Sequence, residues 1–184
     1  MPQTALLVID LQMEFALRAA AGKPRSTPQA EAEVAGLLAL FRARGLPVLH
    51  VHHDDPHPKS GFRLGTPGGA VMPCAAPVEG EAVFVKHGSS AFVGTGLADH
   101  LHTRGISRLV VVGAAADYCV SSTVRMGSDL GFRMVLVPDA VFGFGTKGPD
   151  GQEHDAETVL SVTLGALGGF ARLAPAAAVA NLLD

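Results

Sequence analysis

The chain has 184 residues, of which 48% are hydrophobic and 17% charged, with a formal net charge of −3 at pH 7. That length can bury a core of its own, and the reading is one domain spanning residues 1–184. A small negative charge without basic patches excludes nucleic acid and an anionic membrane as expected partners.

No stretch is long and apolar enough for a membrane span. The N-terminus also lacks the basic and small-residue regions of a signal peptide. A cytoplasmic location is therefore expected. Two cysteines are too few for a disulfide framework.

In chain order, the first apolar run, 5–10, ends at Asp10. Thr27 and Pro28, a cap followed by a first-turn proline, open a helix that Gly45 stops near residue 44. Apolar runs at 46–53 and 82–86 predict the next two strands, separated by a long irregular stretch, 54–80. A helix over 95–104 leads to a strand over 108–113, a small-residue turn, and a helix over 118–130. A strand over 133–138 is followed by a second irregular stretch, 140–152. A helix over 154–167, a weak strand over 170–173 and a short helix over 175–183 complete the chain. Most strand candidates are continuously apolar, as in parallel sheets covered on both faces. The alternation predicts an α/β fold: a three-layer, doubly wound, mainly parallel sheet of the Rossmann type.

Three reactive residues fall at strand ends. Asp10 ends the first strand, Lys86 the third, and Cys119 follows the fourth. In a parallel sheet all three face the carboxyl edge, where ligands bind. Asp10 can accept the thiol proton, and the Lys86 ammonium would stabilise carboxylate and thiolate alike. A helix N-terminus at Cys119 would also favour the anion. Free N–H groups across 114–119 offer an oxyanion hole.

Phe15, Phe92 and Tyr118 lie near these positions in sequence and are pocket candidates, with ordinary core as the alternative. Gln12 can orient Asp10, and His53 can line the pocket. His50 and His52 share one strand face. Cys74 has no nearby base and is expected to be inert. Residues 143–148 match the spacing G-x-G-x-x-G, but no helix opens directly after them, so a dinucleotide is not expected. A mobile loop closing over substrate is the better reading, with Phe142 and Phe144 as an apolar wall.

The chain also resembles a known family, the isochorismatase-like cysteine hydrolases, over nearly its whole length. Three segments carry the likeness. The first runs Leu7, Val8, Ile9, Asp10, Leu11, Gln12. The second runs Val85, Lys86, His87, Gly88, Ser89, Ser90, Ala91, Phe92 and continues into Thr95, Gly96, Leu97. The third runs Ala116, Asp117, Tyr118, Cys119, Val120, Ser121, Ser122, Thr123.

The resemblance implies that Asp10 is the base, that Lys86 assists it, and that Cys119 attacks a carbonyl carbon. It implies a cis peptide between Ala114 and Ala115, and an oxyanion hole formed by the N–H groups of Ala115 and Cys119. Asp55, Pro56, His57 and Pro58 resemble part of the metal site of the nicotinamidase branch. The histidine that should follow shortly is absent: Lys59, Ser60, Gly61 and Phe62 come next. No metal and no other cofactor are therefore expected. Residues 60–68 resemble the metal-free branches and are expected to cover the site mouth or form a subunit contact.

The expected function is hydrolysis of an amide, carbamoyl or ureido C–N bond of a small molecule through a thioester. Vinyl-ether hydrolysis of the isochorismatase type is an alternative, although it needs no thiol and Cys119 weighs against it. A metal-dependent nicotinamidase is another. A non-catalytic flavodoxin-like binding module is the reading from a different class. The family resemblance further implies a homodimer or homotetramer. The helix over 157–167 agrees, being apolar around much of its surface through Val159, Leu160, Val162, Leu164 and Leu167.

Overall fold

A computed structural model describes residues 3–183. Its centre is a six-stranded sheet. Strand β1 (Gln3–Ile9) pairs with β2 (Val48–His53) on one side and β4 (Ile106–Ala114) on the other. Strand β3 (Ala82–Lys86) extends the sheet beyond β2, while β5 (Arg133–Phe142) and β8 (Ala171–Leu173) extend it beyond β4. Every pairing in this sheet is parallel. A two-stranded antiparallel ribbon, β6 (Thr146–Lys147) with β7 (Glu153–His154), stands apart.

Helices cover both faces, as the apolar runs require. On one face α1 (Met13–Ala20), α2 (Ala30–Ala43) and α6 (Ala176–Val179) pack through Phe15, Leu37, Phe41 and Val179 against Leu6, Val8, Val110 and Val135. On the other, α3 (Leu97–Thr103), α4 (Ser121–Asp129) and α5 (Ala156–Leu167) bring Leu97, Leu101, Val124 and Leu160 against Leu7, Ile9, Leu109 and Val111. Alternate strand residues thus feed two separate cores.

Strand order runs β3-β2-β1-β4-β5-β8. The direction of winding reverses between β1 and β4, so the connections leaving these two strands diverge and open a crevice at the carboxyl edge. Gly113 permits the close approach there. A Cβ on it would sit 2.0 Å from the Ile9 carbonyl oxygen, and its φ is +123°. Asp10 turns the chain off β1 at φ 50°, a left-handed conformation that aspartate tolerates better than most residues.

Besides the β6–β7 ribbon, which forms where an irregular stretch and a helix start were expected, the elements depart from the sequence expectation in four places. Helix α1 was absent from that reading. It is a short helix whose N-cap, Gln12, makes no side-chain cap bond. Strand β5 runs past Pro138 to Phe142, because a register shift opposite Val111–Gly113 accommodates the proline. The chain before α4 is a wide turn, Ala116–Val120, rather than the first turn of an α-helix. The C-terminal helix breaks into α6 and a 3-10 turn, Ala180–Leu182.

Candidate active site

Asp10, Lys86 and Cys119 meet at the carboxyl edge. Lys86 Nζ lies 2.7 Å from Asp10 Oδ2, and the two side chains are 0% and 1% exposed. The same nitrogen lies 3.2 Å from Cys119 Sγ and donates to the Gly88 carbonyl at 3.0 Å. Lys86 reaches across β2 to do so, passing its register partner His53, whose Nδ1 is 3.2 Å away. The second Asp10 oxygen, Oδ1, is buried and has no hydrogen-bond partner.

Burial sets the electrostatics. It pushes the Asp10 carboxyl above the usual carboxylate range, and the Lys86 ammonium only partly draws it back. Burial, helped by the negative charge of Asp10, pushes the Cys119 thiol up to about 12, against the pull of Lys86. Burial thus outweighs the pull toward the anion that was expected from the turn and from Lys86. Cys119 rests as a thiol beside a carboxylate with raised proton affinity.

The peptide bond between Ala114 and Ala115 is cis. The Ala115 carbonyl accepts from the N–H groups of Tyr118 and Val120, which closes the turn that carries Cys119. Ala115 and Cys119 line a cavity of about 430 Å³. Of the residues named as pocket candidates, Phe15, His53, Tyr118 and Phe144 also line it, with Tyr118 62% exposed at its mouth.

Two pocket candidates do not belong there. Phe92 is buried against Phe132, ring centroids 5.5 Å apart, with Gly127 beside it. Its nearness to Lys86 in sequence misleads, because its ring points into the core between α3 and α4. Gln12 is fully buried and acts from behind the wall. It donates to the carbonyls of His53 and Gly69 and accepts from the His53 N–H at 2.8 Å.

Sequence reasoning missed Phe62 and Arg18. Phe62 meets Phe15 edge-on at 4.8 Å, and the Arg18 guanidinium lies 5.2 Å from the Phe62 ring centre. Lys23, also missed, sits 5.2 Å from the Phe144 ring centre. Aromatic and basic residues in the neighbouring segments were the available signal, but only the tertiary fold brings those segments together.

The segment read as a mobile loop is tied down. Gly143 donates to Ser26 Oγ, and the Ser26 N–H returns a bond to the Gly143 carbonyl, both at 3.0 Å. Phe142 belongs to β5 and is fully buried; only Phe144 reaches the cavity.

The histidine-rich stretch disperses. His50 bonds to Glu81 at 2.8 Å, while Asp55 accepts from the His57 N–H at 3.0 Å. Among the described residues, no group of three or more His, Cys, Asp or Glu is placed to hold a metal ion. Cys74 is half-buried on the opposite side of the sheet core, and burial raises its thiol as well.

The isochorismatase domain matches residues 4–163. The chain belongs to the isochorismatase family. A crystal structure of an isochorismatase-family hydrolase from Chromobacterium violaceum superposes with a TM-score of 0.93 at 39% identity, covering 98% of this chain and 93% of that one. The isochorismatase-family protein YrdC of Bacillus subtilis is 31% identical over 163 residues, 89% of this chain and 86% of its own. The maleamate amidohydrolase of Pseudomonas putida is 30% identical over 151 residues, 74% of this chain and 71% of its own. This isochorismatase-family hydrolase thus shares its overall fold with a solved relative. None of its described helices is long and apolar enough to cross a membrane.

Proposed function

We propose that this hydrolase cleaves the C–N bond of a small amide, carbamoyl or ureido compound through a thioester on Cys119. One observation carries the reading: a thiol and a carboxylate share a buried ammonium on the wall of a substrate-sized cavity. A thiol held up to about 12 is a poor nucleophile until its proton is removed, and Asp10 is the base beside it. Asp10 takes the proton as Sγ bonds to the carbonyl carbon. The oxyanion is received by the N–H groups of Ala115 and Cys119. The amine leaves with the proton from Asp10, and water, deprotonated by Asp10, then cleaves the thioester. The Pseudomonas putida relative, a maleamate amidohydrolase, supports this bond class.

The test is ammonia release from a panel of small primary amides, carbamoyl amines and ureas. At least one is expected to be turned over by the parent and none by Cys119→Ala. Equal release by Cys119→Ala would overturn the reading and favour vinyl-ether hydrolysis or simple binding.

We also propose a homodimer or homotetramer. Helix α5 buries Ala156, Leu160 and Leu167, while Val162 on its outer side is 69% exposed. Val162, with the exposed small residues Gly165 and Ala166, gives this helix a surface suited to a symmetric contact.

A further inference from the structure

Lys86 has one acceptor too many. Its Nζ lies 2.7 Å from Asp10 Oδ2, 3.0 Å from the Gly88 carbonyl, 3.2 Å from His53 Nδ1 and 3.2 Å from Cys119 Sγ. An ammonium has three N–H donors and accepts nothing. The carboxylate and the carbonyl take two of them. His53 and Cys119 compete for the third.

The histidine is poised to win that competition in the resting state. A proton on Nδ1 would face the ammonium, so Nδ1 is the bare nitrogen and the ring proton sits on Nε2. A neutral imidazole nitrogen accepts hydrogen bonds well, whereas a thiol sulfur accepts them weakly. The ring is also held in place. Gln12 clamps the His53 backbone on both its N–H and C=O, and Phe62 meets the ring edge-on at 5.7 Å. The charged and titratable groups facing the ring are Lys86, Asp54, Asp55 and His87. Burial and the Lys86 charge both keep it neutral, outweighing the two aspartates.

We propose that His53 is a positioning residue that holds the third Lys86 N–H away from Cys119 while the cysteine is a thiol, and yields it when the thiolate forms. The proposal rests on the cysteine-hydrolase reading above. In the resting state Lys86 serves Asp10, Gly88 and His53, and the thiol keeps its proton. In the activated state that proton has passed from Sγ to Asp10, and the third N–H has turned from Nδ1 to the sulfur anion. No proton leaves Lys86 or His53 in the exchange. His53 therefore favours the thiol over the thiolate until Asp10 is called on as base.

The test is the pH profile of Cys119 alkylation by iodoacetamide, in a Cys74→Ser background so that one thiol reports. His53→Phe removes the competing acceptor and frees the N–H for sulfur. Its alkylation rate at neutral pH is expected to rise roughly threefold to tenfold, as the thiol titrates about half a unit to one unit lower. His53→Asn, whose amide oxygen can replace Nδ1, is expected to keep the parent profile. An unchanged profile in His53→Phe, or the same shift in both variants, would overturn the proposal. The parent protein offers an independent check that needs no variant. Nitrogen NMR of labelled histidine is expected to show Nδ1 bare and Nε2 protonated at neutral pH, and an Nδ1–H tautomer would overturn the proposal. Alkylation needs no turnover, so failure of the amide panel leaves this result readable separately.

Discussion

Two clusters of carboxylate, cation and histidine stand at opposite ends of β3, and the chain uses them in opposite ways. At the amino end Glu81 receives Nε and Nη2 of Arg42, at 2.8 and 2.9 Å, together with the Val78 N–H and His50. At the carboxyl end Asp10 receives Lys86 at a single oxygen and keeps the other unpartnered. Burial alone would raise both acids. Four donors overcome it at Glu81 and hold that carboxyl at about 2, while the Lys86 ammonium and the Cys119 thiol together fail to do so at Asp10. A fully satisfied carboxylate is a structural anchor. An under-satisfied one is a proton acceptor.

The contrast is broken most severely at its reactive end. Asp10→Asn is expected to lower kcat/KM by roughly a hundredfold or more, since it removes the base. The amide oxygen still accepts from Lys86, so the circular dichroism spectrum should match the parent's. A folded variant with parental turnover would place the base elsewhere.

Glu81→Gln should do the reverse. Its side chain is 9% exposed, and a carboxyl moved from 4.5 to about 2 is worth up to about 3 kcal/mol at neutral pH. The variant is expected to lose stability of that order in urea while kcat stays at the parental value. The sign of the pH dependence follows from the depressed value. The Glu81 contribution is complete above the unfolded value of 4.5 and is lost as pH falls through about 2. The parent and the variant should therefore converge in stability on acidification, which denaturation curves at several pH values would show.

Smaller effects sharpen the picture. Exhaustive chelation is expected to leave turnover unchanged, because His50 is engaged by Glu81 and the Asp55 and His57 side chains do not converge with it. Loss of activity restored by zinc or iron would contradict this. Sedimentation at micromolar concentration is expected to give a dimer or tetramer. Val162→Asp should shift that equilibrium toward monomer, whereas a monomeric parent would leave the exposed side of α5 without a partner.

The sheet was legible because its strands are long β-branched and aliphatic runs, a pattern that burial on both faces demands. The placement of Asp10 and Lys86 was legible for a related reason, each being the polar break at the end of such a run, and that of Cys119 because it lies in the small-residue turn after the fourth run. Helix α1 was not, since eight residues with an uncapped start give little local signal, and its position depends on bonds to a distant loop. Phe92 shows the converse error. Adjacency in sequence says nothing about which way a ring points, and this one faces Phe132. The effect of burial on the Cys119 thiol was not legible either, because desolvation depends on everything packed around the sulfur.

The segment from Gly61 to Met72 has a consequence for how the cavity could change its contents. Main-chain bonds join Met13 to Ala70, Glu14 to Gly68 and Met72 to Leu11, so this stretch is laced onto the start of α1. The lacing leaves no slack. A Cβ on Gly61 would fall 2.0 Å from the Glu14 carboxyl, and one on Gly69 would fall 2.1 Å from the Arg63 carbonyl oxygen. Phe62 and Phe15 ride on the two laced partners and face each other in the cavity wall. An inserted residue here would slip both rings at once, whereas exchanging the Phe62 side chain would recut the wall and leave its seam closed. Diversification of this cavity is therefore open to point substitution and shut to changes of length.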